Sequence, residues 1–161
     1  MILRFIDKLV FGLLLILALQ IPQLAEHYHQ FISGQLDSVS WQVKGYELTA
    51  NKYEYASVED MITHHLQNSV ASVRDDAKQK LATLEQYHEL MAANKLFTDS
   101  NLVSKAIFMF NPTRYQTLEK ALKNYTLGIP ITFDGISFAV IVALSLNCLL
   151  FLPLYWVKKK K

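Results

Sequence analysis

Five histidines are the residues of this chain best suited to bind a metal ion. His27 and His29 are two positions apart, so on a helix they point to different sides, and His64 and His65 are adjacent. Two imidazoles share an ion most readily at helix positions i and i+4, a spacing that neither pair has. His88 falls on or beside an apolar helical stripe, where a packed histidine is the common outcome. We therefore predict ordinary surface or core histidines and no metal ligands.

Motifs for covalent catalysis or phosphate binding do not occur in the sequence. It contains no GxSxG, no HExxH and no glycine-rich phosphate loop, and only five glycines with which to build one. The middle of the chain is acidic, because residues 24–134 carry ten Lys and Arg against thirteen Asp and Glu, a net charge of −3. Such a segment is a poor partner for nucleic acid. The prediction is a protein that is not an enzyme, uses no cofactor and binds no nucleic acid.

Two polar side chains lie inside uncharged, apolar segments. Gln20 belongs to a run of 17 residues, 9–25, and Asn147 to a run of 23 residues, 135–157, next to the single cysteine, Cys148. A polar side chain in hydrocarbon usually faces protein, where it can form a hydrogen bond between helices. We predict that Gln20 and Asn147 are helix contacts, with each other or with a neighbouring subunit, and exposure near the interface is the alternative for Asn147. A lone cysteine also means that no internal disulfide stabilises the chain.

The two uncharged runs predict transmembrane helices at residues 9–25 and 135–157. As a helix, the second run spans roughly 35 Å, enough to cross a hydrocarbon core of about 30 Å. The first run is near the lower length limit, and its basic start also fits a secretory signal peptide. Cleavage after QLA, residues 23–25, would place Gln23 where a small residue is required, which favours a retained anchor.

Basic residues at the ends of the two runs predict the orientation. Arg4 and Lys8 precede the first run and four lysines follow the second, whereas the inner flanks carry three basic residues. By the positive-inside rule, residues 1–8 and 158–161 are cytoplasmic and residues 26–134 are exported. Aromatic rings and lysines anchor the exit of the second span at the membrane interface. These anchors are Tyr155, Trp156, Lys158, Lys159, Lys160 and Lys161.

Apolar periodicity predicts that the exported segment is helical. The fold class is therefore all-α, with two transmembrane helices flanking an extracytoplasmic antiparallel helical bundle. The first helix runs straight out of the membrane and breaks within LTANKYEYA, residues 48–56. Ser57 is the N-cap of the next helical stretch, which is either one helix of about 38 residues or two helices with a break near residues 69–72.

The remaining exported residues predict two short helices and a loop. Thr98 or Asp99 caps the first of these helices, and Asn111, followed by Pro112 at the first helical position, caps the second. Residues 125–134 form an apolar loop at the outer membrane interface. Thr132 or Asp134 caps the second span.

The two ends of the chain resemble a known family. The stretch from residue 106 to residue 144 reads AIFMFNPTRYQTLEKALKNYTLGIPITFDGISFAVIVAL, and the first span continues as LALQIPQLAEHYHQFISGQLD. The Asn-Pro helix start, the loop between Tyr125 and Pro130 and the Gln-x-Pro-Gln motif are similar to those of proteobacterial inner-membrane proteins of the DUF2937 family. The resemblance implies a two-span protein in a bacterial inner membrane, and it implies no activity.

The sequence therefore favours a protein that binds other molecules rather than one that converts them. The leading hypothesis is a non-enzymatic accessory or assembly subunit that binds another envelope protein, or a second copy of itself, through its periplasmic helices. A periplasmic ligand-sensing module that relays through a partner is the alternative. A lipid-interacting enzyme or carrier is a third hypothesis, which depends on the apolar loop at residues 125–133.

Overall fold

The computed structural model describes residues 2–123, 125–128 and 132–159, with side chains described for residues 5–123, 125–128 and 132–151. Within this part of the chain all regular structure is helical. The six α-helices are α1 (Ile2–Lys52), α2 (Val58–Leu66), α3 (Ala71–Asp99), α4 (Leu102–Met109), α5 (Tyr115–Lys123) and α6 (Phe133–Lys159), and a 3-10 turn, Pro112–Arg114, precedes α5. The prediction of an all-α protein is confirmed.

Two helices are long and apolar enough to cross a membrane. The stretches that meet this test are Phe5–Lys52 and Phe133–Phe151, and only 11% and 17% of their most apolar windows are buried. A helix in the core of a soluble protein would bury most of such a window. The exposed side chains instead form an apolar surface around both helices, as expected for helices that face lipid.

The predicted break after the first helix is confirmed. Helix α1 ends at Lys52, and Glu54 follows with a φ of 58°. This left-handed conformation is uncommon for a residue with a side chain, and it turns the chain out of the helical direction. Ser57 then caps α2 as predicted, because its hydroxyl accepts a hydrogen bond of 3.1 Å from the backbone N–H of Asp60.

Helices α2 and α3 are separate, so the two-helix alternative is confirmed. The chain leaves α2 at Gln67, and the Asn68 side chain accepts a hydrogen bond of 2.9 Å from the Val70 N–H. Nη1 of Arg74 donates to the carbonyl oxygens of Asn68 and Ser69, at 2.7 and 2.9 Å. These bonds satisfy the backbone groups that a continuous helix would have paired internally.

The predicted cap of the first of the two short helices is wrong. Thr98 and Asp99 lie in the last turn of α3, and the Thr98 hydroxyl bonds back to the Asn94 carbonyl. Asn101 caps α4 instead, accepting a hydrogen bond of 3.0 Å from the Ser104 N–H. Helix α3 continues this far because Phe97, which is buried, is held in its last turns.

The predicted cap of the second short helix and one predicted cap of the helix at the second apolar run are confirmed. The Asn111 side chain accepts from the Thr113 N–H, and Pro112 begins a 3-10 turn that leads into α5. Thr132 accepts a hydrogen bond of 3.3 Å from the Gly135 N–H at the start of α6. The four short polar residues that cap helices here therefore act by the same mechanism, a side-chain oxygen that accepts an unpaired N–H.

The chain divides into two compact units. One is His29–Asp99, and the other combines Met1–Tyr28 with Ser100–Lys161. In the His29–Asp99 unit, Asn94 bonds to His29 and Ser33, whereas Lys80 lies over the ring of Tyr46. Helix α3 therefore runs back along the second half of α1. The buried apolar side chains of the His29–Asp99 unit include Ile32, Val39, Val43, Met61, Ile62, Leu84, Leu90 and Phe97.

The second unit contains the apolar part of α1 and all of α6. Gln20 bonds to Gly128 and Asp7 bonds to Asn147, so the two helices run in opposite directions. Ala18, Ala139 and Ala143 are buried, which fits the small residues that let apolar helices pack closely. Helices α4 and α5 bury Met109, Leu118 and Ala121 in the same unit.

Candidate functional site

Gln20 contacts a loop rather than a second helix. Its Oε1 atom accepts a hydrogen bond of 2.8 Å from the Tyr125 hydroxyl, and its Nε2 atom donates to the Gly128 carbonyl at 3.3 Å. The Tyr125 ring also contacts the ring of His27 edge to face, with 5.3 Å between centroids. Burial raises the pKa of the Tyr125 hydroxyl, which therefore keeps its proton and remains a donor.

Asn147 contacts the other end of α1. Its Nδ2 atom donates a hydrogen bond of 2.9 Å to Oδ1 of Asp7. The structure thus does not bring Gln20 and Asn147 together, although each of them joins two segments of the same unit. Oδ1 of Asn147 is buried and accepts no hydrogen bond from the described residues.

The predicted interface anchors Tyr155, Trp156, Lys158, Lys159, Lys160 and Lys161 lie outside the residues whose side chains are described.

Two of the five histidines form hydrogen bonds with neighbouring side chains. Nε2 of His29 lies 3.0 Å from Oδ1 of Asn94, which can only accept, so this nitrogen carries a proton. Nδ1 of His64 lies 2.5 Å from the Tyr55 hydroxyl. Within the described part of the chain, no three side chains of His, Cys, Asp or Glu are grouped closely enough to hold a metal ion. The arrangement of His29 and His64 is that of structural hydrogen bonds.

A solvent-facing surface lies on α1 in the His29–Asp99 unit. Trp41 is 78% exposed and Leu48 is 65% exposed, with Gly45 between them on the same face of the helix. Together with Lys44 and the neighbouring Tyr46 and Lys80, they line a shallow groove of about 590 Å³. We call these six residues the Trp41 surface.

The charges of the Trp41 surface are both positive. Lys80 lies 5.8 Å from the centre of the Tyr46 ring and forms an ion pair with Asp76 on its own helix. Lys44 has no acidic partner among the described residues. The surface therefore offers an exposed indole, an aliphatic side chain and a free ammonium group to whatever binds there.

Sequence reasoning did not single out Trp41, although the pattern contains it. Val39 and Val43 are buried, and Trp41 lies midway between them, so at 100° per residue it points away from the buried side of α1. A tryptophan on the polar face of an amphipathic helix is the sequence feature that could have identified the surface.

A second apolar stripe lies on α4. The stripe consists of three exposed residues at helical spacing, Val103, Ile107 and the C-cap residue Phe110. Ile107 is 70% exposed. Arg114 lies over the ring of Phe108 at 5.0 Å. This stripe belongs to the unit that contains the two apolar helices, whereas the Trp41 surface belongs to His29–Asp99.

Comparison with known proteins bears on family and not on activity. The family model described as "Protein of unknown function (DUF2937)" matches residues 2–161. No curated protein and no solved structure matches the chain.

Proposed function

The chain belongs to the DUF2937 family, and from this premise we propose that it is a membrane-anchored accessory or assembly subunit that binds another envelope protein. In this proposal it is not an enzyme, and its binding site is the Trp41 surface. The protein crosses a bacterial inner membrane twice, with both termini in the cytoplasm and residues 26–134 in the periplasm.

The membrane placement is supported by the exposure of the apolar helices. Leu9, Leu13, Ile16 and Leu17 on α1 are each more than half exposed, and so are Ile141 and Leu149 on α6. Exposing this many large aliphatic side chains to water would be unfavourable by roughly 25 cal/mol per Å² of apolar area. A hydrocarbon environment removes that penalty. The orientation is supported by the excess of basic residues at the outer ends of both spans.

The exposure of Trp41 is the observation that carries the binding role. A tryptophan that is 78% exposed leaves a large apolar ring in water, and it is accompanied on the same face by Leu48. Aromatic residues of this kind dominate the binding energy at protein interfaces when a partner encloses them. Gly45 supports close approach of a partner, because nothing lies within 4 Å of the position that a Cβ atom would occupy there.

Site-specific crosslinking in living cells tests the proposal. A photoreactive phenylalanine analogue at position 41 of the full-length protein is expected to give one adduct of defined mass, which mass spectrometry identifies as a particular envelope protein or a second copy of the chain. The matched control is the same analogue at Gln86, an exposed residue of α3 outside the Trp41 surface. It is expected to give no such adduct.

Charge at the centre of the surface provides the second arm. Leu48→Asp places a carboxylate in the apolar groove and is expected to abolish the adduct while the protein remains folded, as judged by circular dichroism. An adduct at Ile107 with none at Trp41 would move the interface to α4 and overturn the proposal. The binding role itself would be excluded if the protein were a monomer in membranes and in mild detergent and gave no adduct at either position.

A further inference from the structure

The short segment Tyr125 to Gly128 lies against α1 at Gln20, a few residues before Ala25, where the first apolar run ends. Tyr125 bonds to Gln20, and the Gly128 carbonyl accepts from the Gln20 amide. A Cβ atom built on Gly128 would lie 3.0 Å from Nε2 of Gln23, so the backbone here approaches α1 closely. Two side chains of the first run, Gln20 and Gln23, therefore fix the path of the segment.

The contacts give the depth of the segment relative to the first run. Gln20 precedes Ala25, the end of that run, by five residues, or about 7.5 Å along a helix. Leu17 lies about 12 Å below the same point. Irregular backbone is tolerated at such depth only where its polar groups are satisfied by protein. The amide of Gln20 does this for the Gly128 carbonyl, which explains a polar residue at this position of an apolar helix.

The segment and α1 form a groove between them. It has a volume of about 320 Å³ and is lined by Ile16, Leu17, Gln20, Leu127 and Gly128, and we call it the Leu127 groove. Leu127 is 83% exposed, and Ile16 and Leu17 are 59% and 62% exposed. None of these five described residues is charged. Gln20 is the one among them with a polar side chain, and it is already bonded to the segment.

We infer that the Leu127 groove holds one hydrocarbon chain of a phospholipid from the outer leaflet. This inference rests on the membrane placement in the proposed function and is independent of the Trp41 surface. Two walls of the groove, Ile16 and Leu17, continue the exposed face formed by Leu9 and Leu13, so the surface that faces lipid along the span extends into the groove. A chain lying along that face meets aliphatic side chains only.

The upper end of the groove is suited to the polar part of the same lipid. The Tyr125 hydroxyl bonds to Gln20, while the Tyr125 ring contacts the ring of His27, a residue two positions beyond the end of the apolar run. Tyrosine and histidine rings, apolar in the body and polar at the edge, are well placed at the height of ester and phosphate groups. The groove is therefore lined mainly by apolar side chains, and the rings of Tyr125 and His27 lie next to it, towards the end of the apolar run.

Photocrosslinking from the lipid tests this inference. The full-length protein is reconstituted into phosphatidylethanolamine and phosphatidylglycerol vesicles that contain phosphatidylcholine with a diazirine in its acyl chain. After irradiation, peptide mass spectrometry is expected to place lipid adducts on Leu127 and on Ile16 or Leu17, as well as on Leu13, an exposed residue of the span outside the groove. Gln20→Leu removes the amide that holds the Gly128 carbonyl and is expected to abolish the Leu127 adduct while the Leu13 adduct remains.

The residues compared separate the possible failures. Adducts on Leu13 without one on Leu127 would overturn the groove and leave the membrane placement intact. No adduct on Leu13 would overturn the membrane placement itself. If Gln20→Leu fails to fold, Tyr125→Phe removes only the bond from the Tyr125 hydroxyl to Gln20 and is expected to reduce the Leu127 adduct selectively. A Leu127 adduct that is unchanged in a folded variant of either kind would show that the loop is not held by Gln20 and would overturn the inference.

Discussion

Hydrogen bonds of single side chains join segments of this protein that are far apart in sequence. Asn147 and Asp7 are 140 positions apart, and Gln20 and Gly128 are 108 positions apart. Each bond brings α1 together with a segment near or inside α6. In an apolar environment such a bond also gives the two helices a definite register, because sliding either helix leaves a polar group unpaired.

Replacing Asn147 by leucine tests the hydrogen bond between Asn147 and Asp7. Asn147→Leu keeps a side chain of similar size but removes the donor to Asp7, and we expect it to lower the free energy of unfolding by about 0.6 to 1.7 kcal/mol. The measurement is reversible unfolding of the full-length protein in mixed micelles. Ser145→Ala is the matched control, since the Ser145 hydroxyl donates a hydrogen bond to the Ile141 carbonyl of its own helix. Equal losses in both variants would contradict a role for Asn147 between helices.

Glu59 predicts a pH dependence at the start of α2. Hydrogen bonds from its own backbone N–H and from the Ser57 hydroxyl lower the pKa of its carboxyl below the ordinary value of 4.5. A carboxylate whose pKa is lower in the folded state adds stability above pH 4.5, and this contribution is lost as the pH falls through the lowered pKa. Glu59→Gln is therefore expected to be less stable than the wild type at neutral pH and to approach it in acid.

The measurement for Glu59 is the midpoint of urea unfolding in micelles across a pH series. The two curves should converge on the acidic side of pH 4.5. A difference between the variants that stays constant from neutral pH into acid would exclude the ionised carboxylate as its cause.

At the scale of elements, helix caps decide where several of the helices begin. Ser57, Asn101 and Asn111 each accept a backbone N–H from the first turn of the helical segment that they precede. Ser57→Ala is expected to lower the free energy of unfolding by about 1 kcal/mol, because the Asp60 N–H loses its acceptor. Ser57→Asp keeps an acceptor and should retain most of the stability. Chemical denaturation compares the two variants, and an alanine variant as stable as the aspartate variant would show that this cap contributes nothing.

Local chemistry made several of these elements predictable from sequence. Ser57 and Asn111-Pro112 were identified because capping depends on residues only a few positions apart. Asn101 was missed in favour of Thr98 and Asp99, because the end of α3 is fixed by the burial of Phe97, which the local sequence does not reveal.

Partners that are distant in sequence could not be predicted in this way. Gln20 was identified as a polar contact, but its partners Tyr125 and Gly128 follow from the path of a loop that returns to α1. Asn94 was not identified at all, because its role depends on the alignment of α3 with His29 and Ser33. Trp41 could not be found from the apolar periodicity, because that pattern marks the buried face of α1 and Trp41 lies on the exposed face.

At the scale of the whole molecule, the apolar parts of α1 and α6 fall in the same unit. The unit that contains Met1–Tyr28 and Ser100–Lys161 exposes aliphatic side chains along two helices, whereas α3 of His29–Asp99 carries exposed ion pairs such as Lys78 with Asp75. Exposed pairs of this kind contribute little stability and mainly keep a surface soluble. Exposed ion pairs are not confined to His29–Asp99, since Lys123 pairs with Glu119 on α5 of the other unit.

Thiol labelling tests the proposed orientation. In a Cys148→Ser background the chain has no other cysteine, so one cysteine placed at Gln79 and, separately, one at Lys8 report on opposite sides of the membrane. A maleimide that does not cross membranes is expected to label position 79 in spheroplasts and to label position 8 only after lysis. Labelling of position 8 in intact spheroplasts would reverse the proposed orientation.

The left-handed backbone at Glu54 restricts which residues can replace it during evolution. Its φ of 58° suits glycine and is tolerated by asparagine and aspartate, whereas a side chain branched at Cβ would be strained there. Among natural variants, we therefore expect Gly, Asn or Asp to replace Glu54 more often than Val, Ile or Thr. The corner between α1 and α2 can thus be recognised in a relative by the residue types it excludes, even where the flanking helices have diverged.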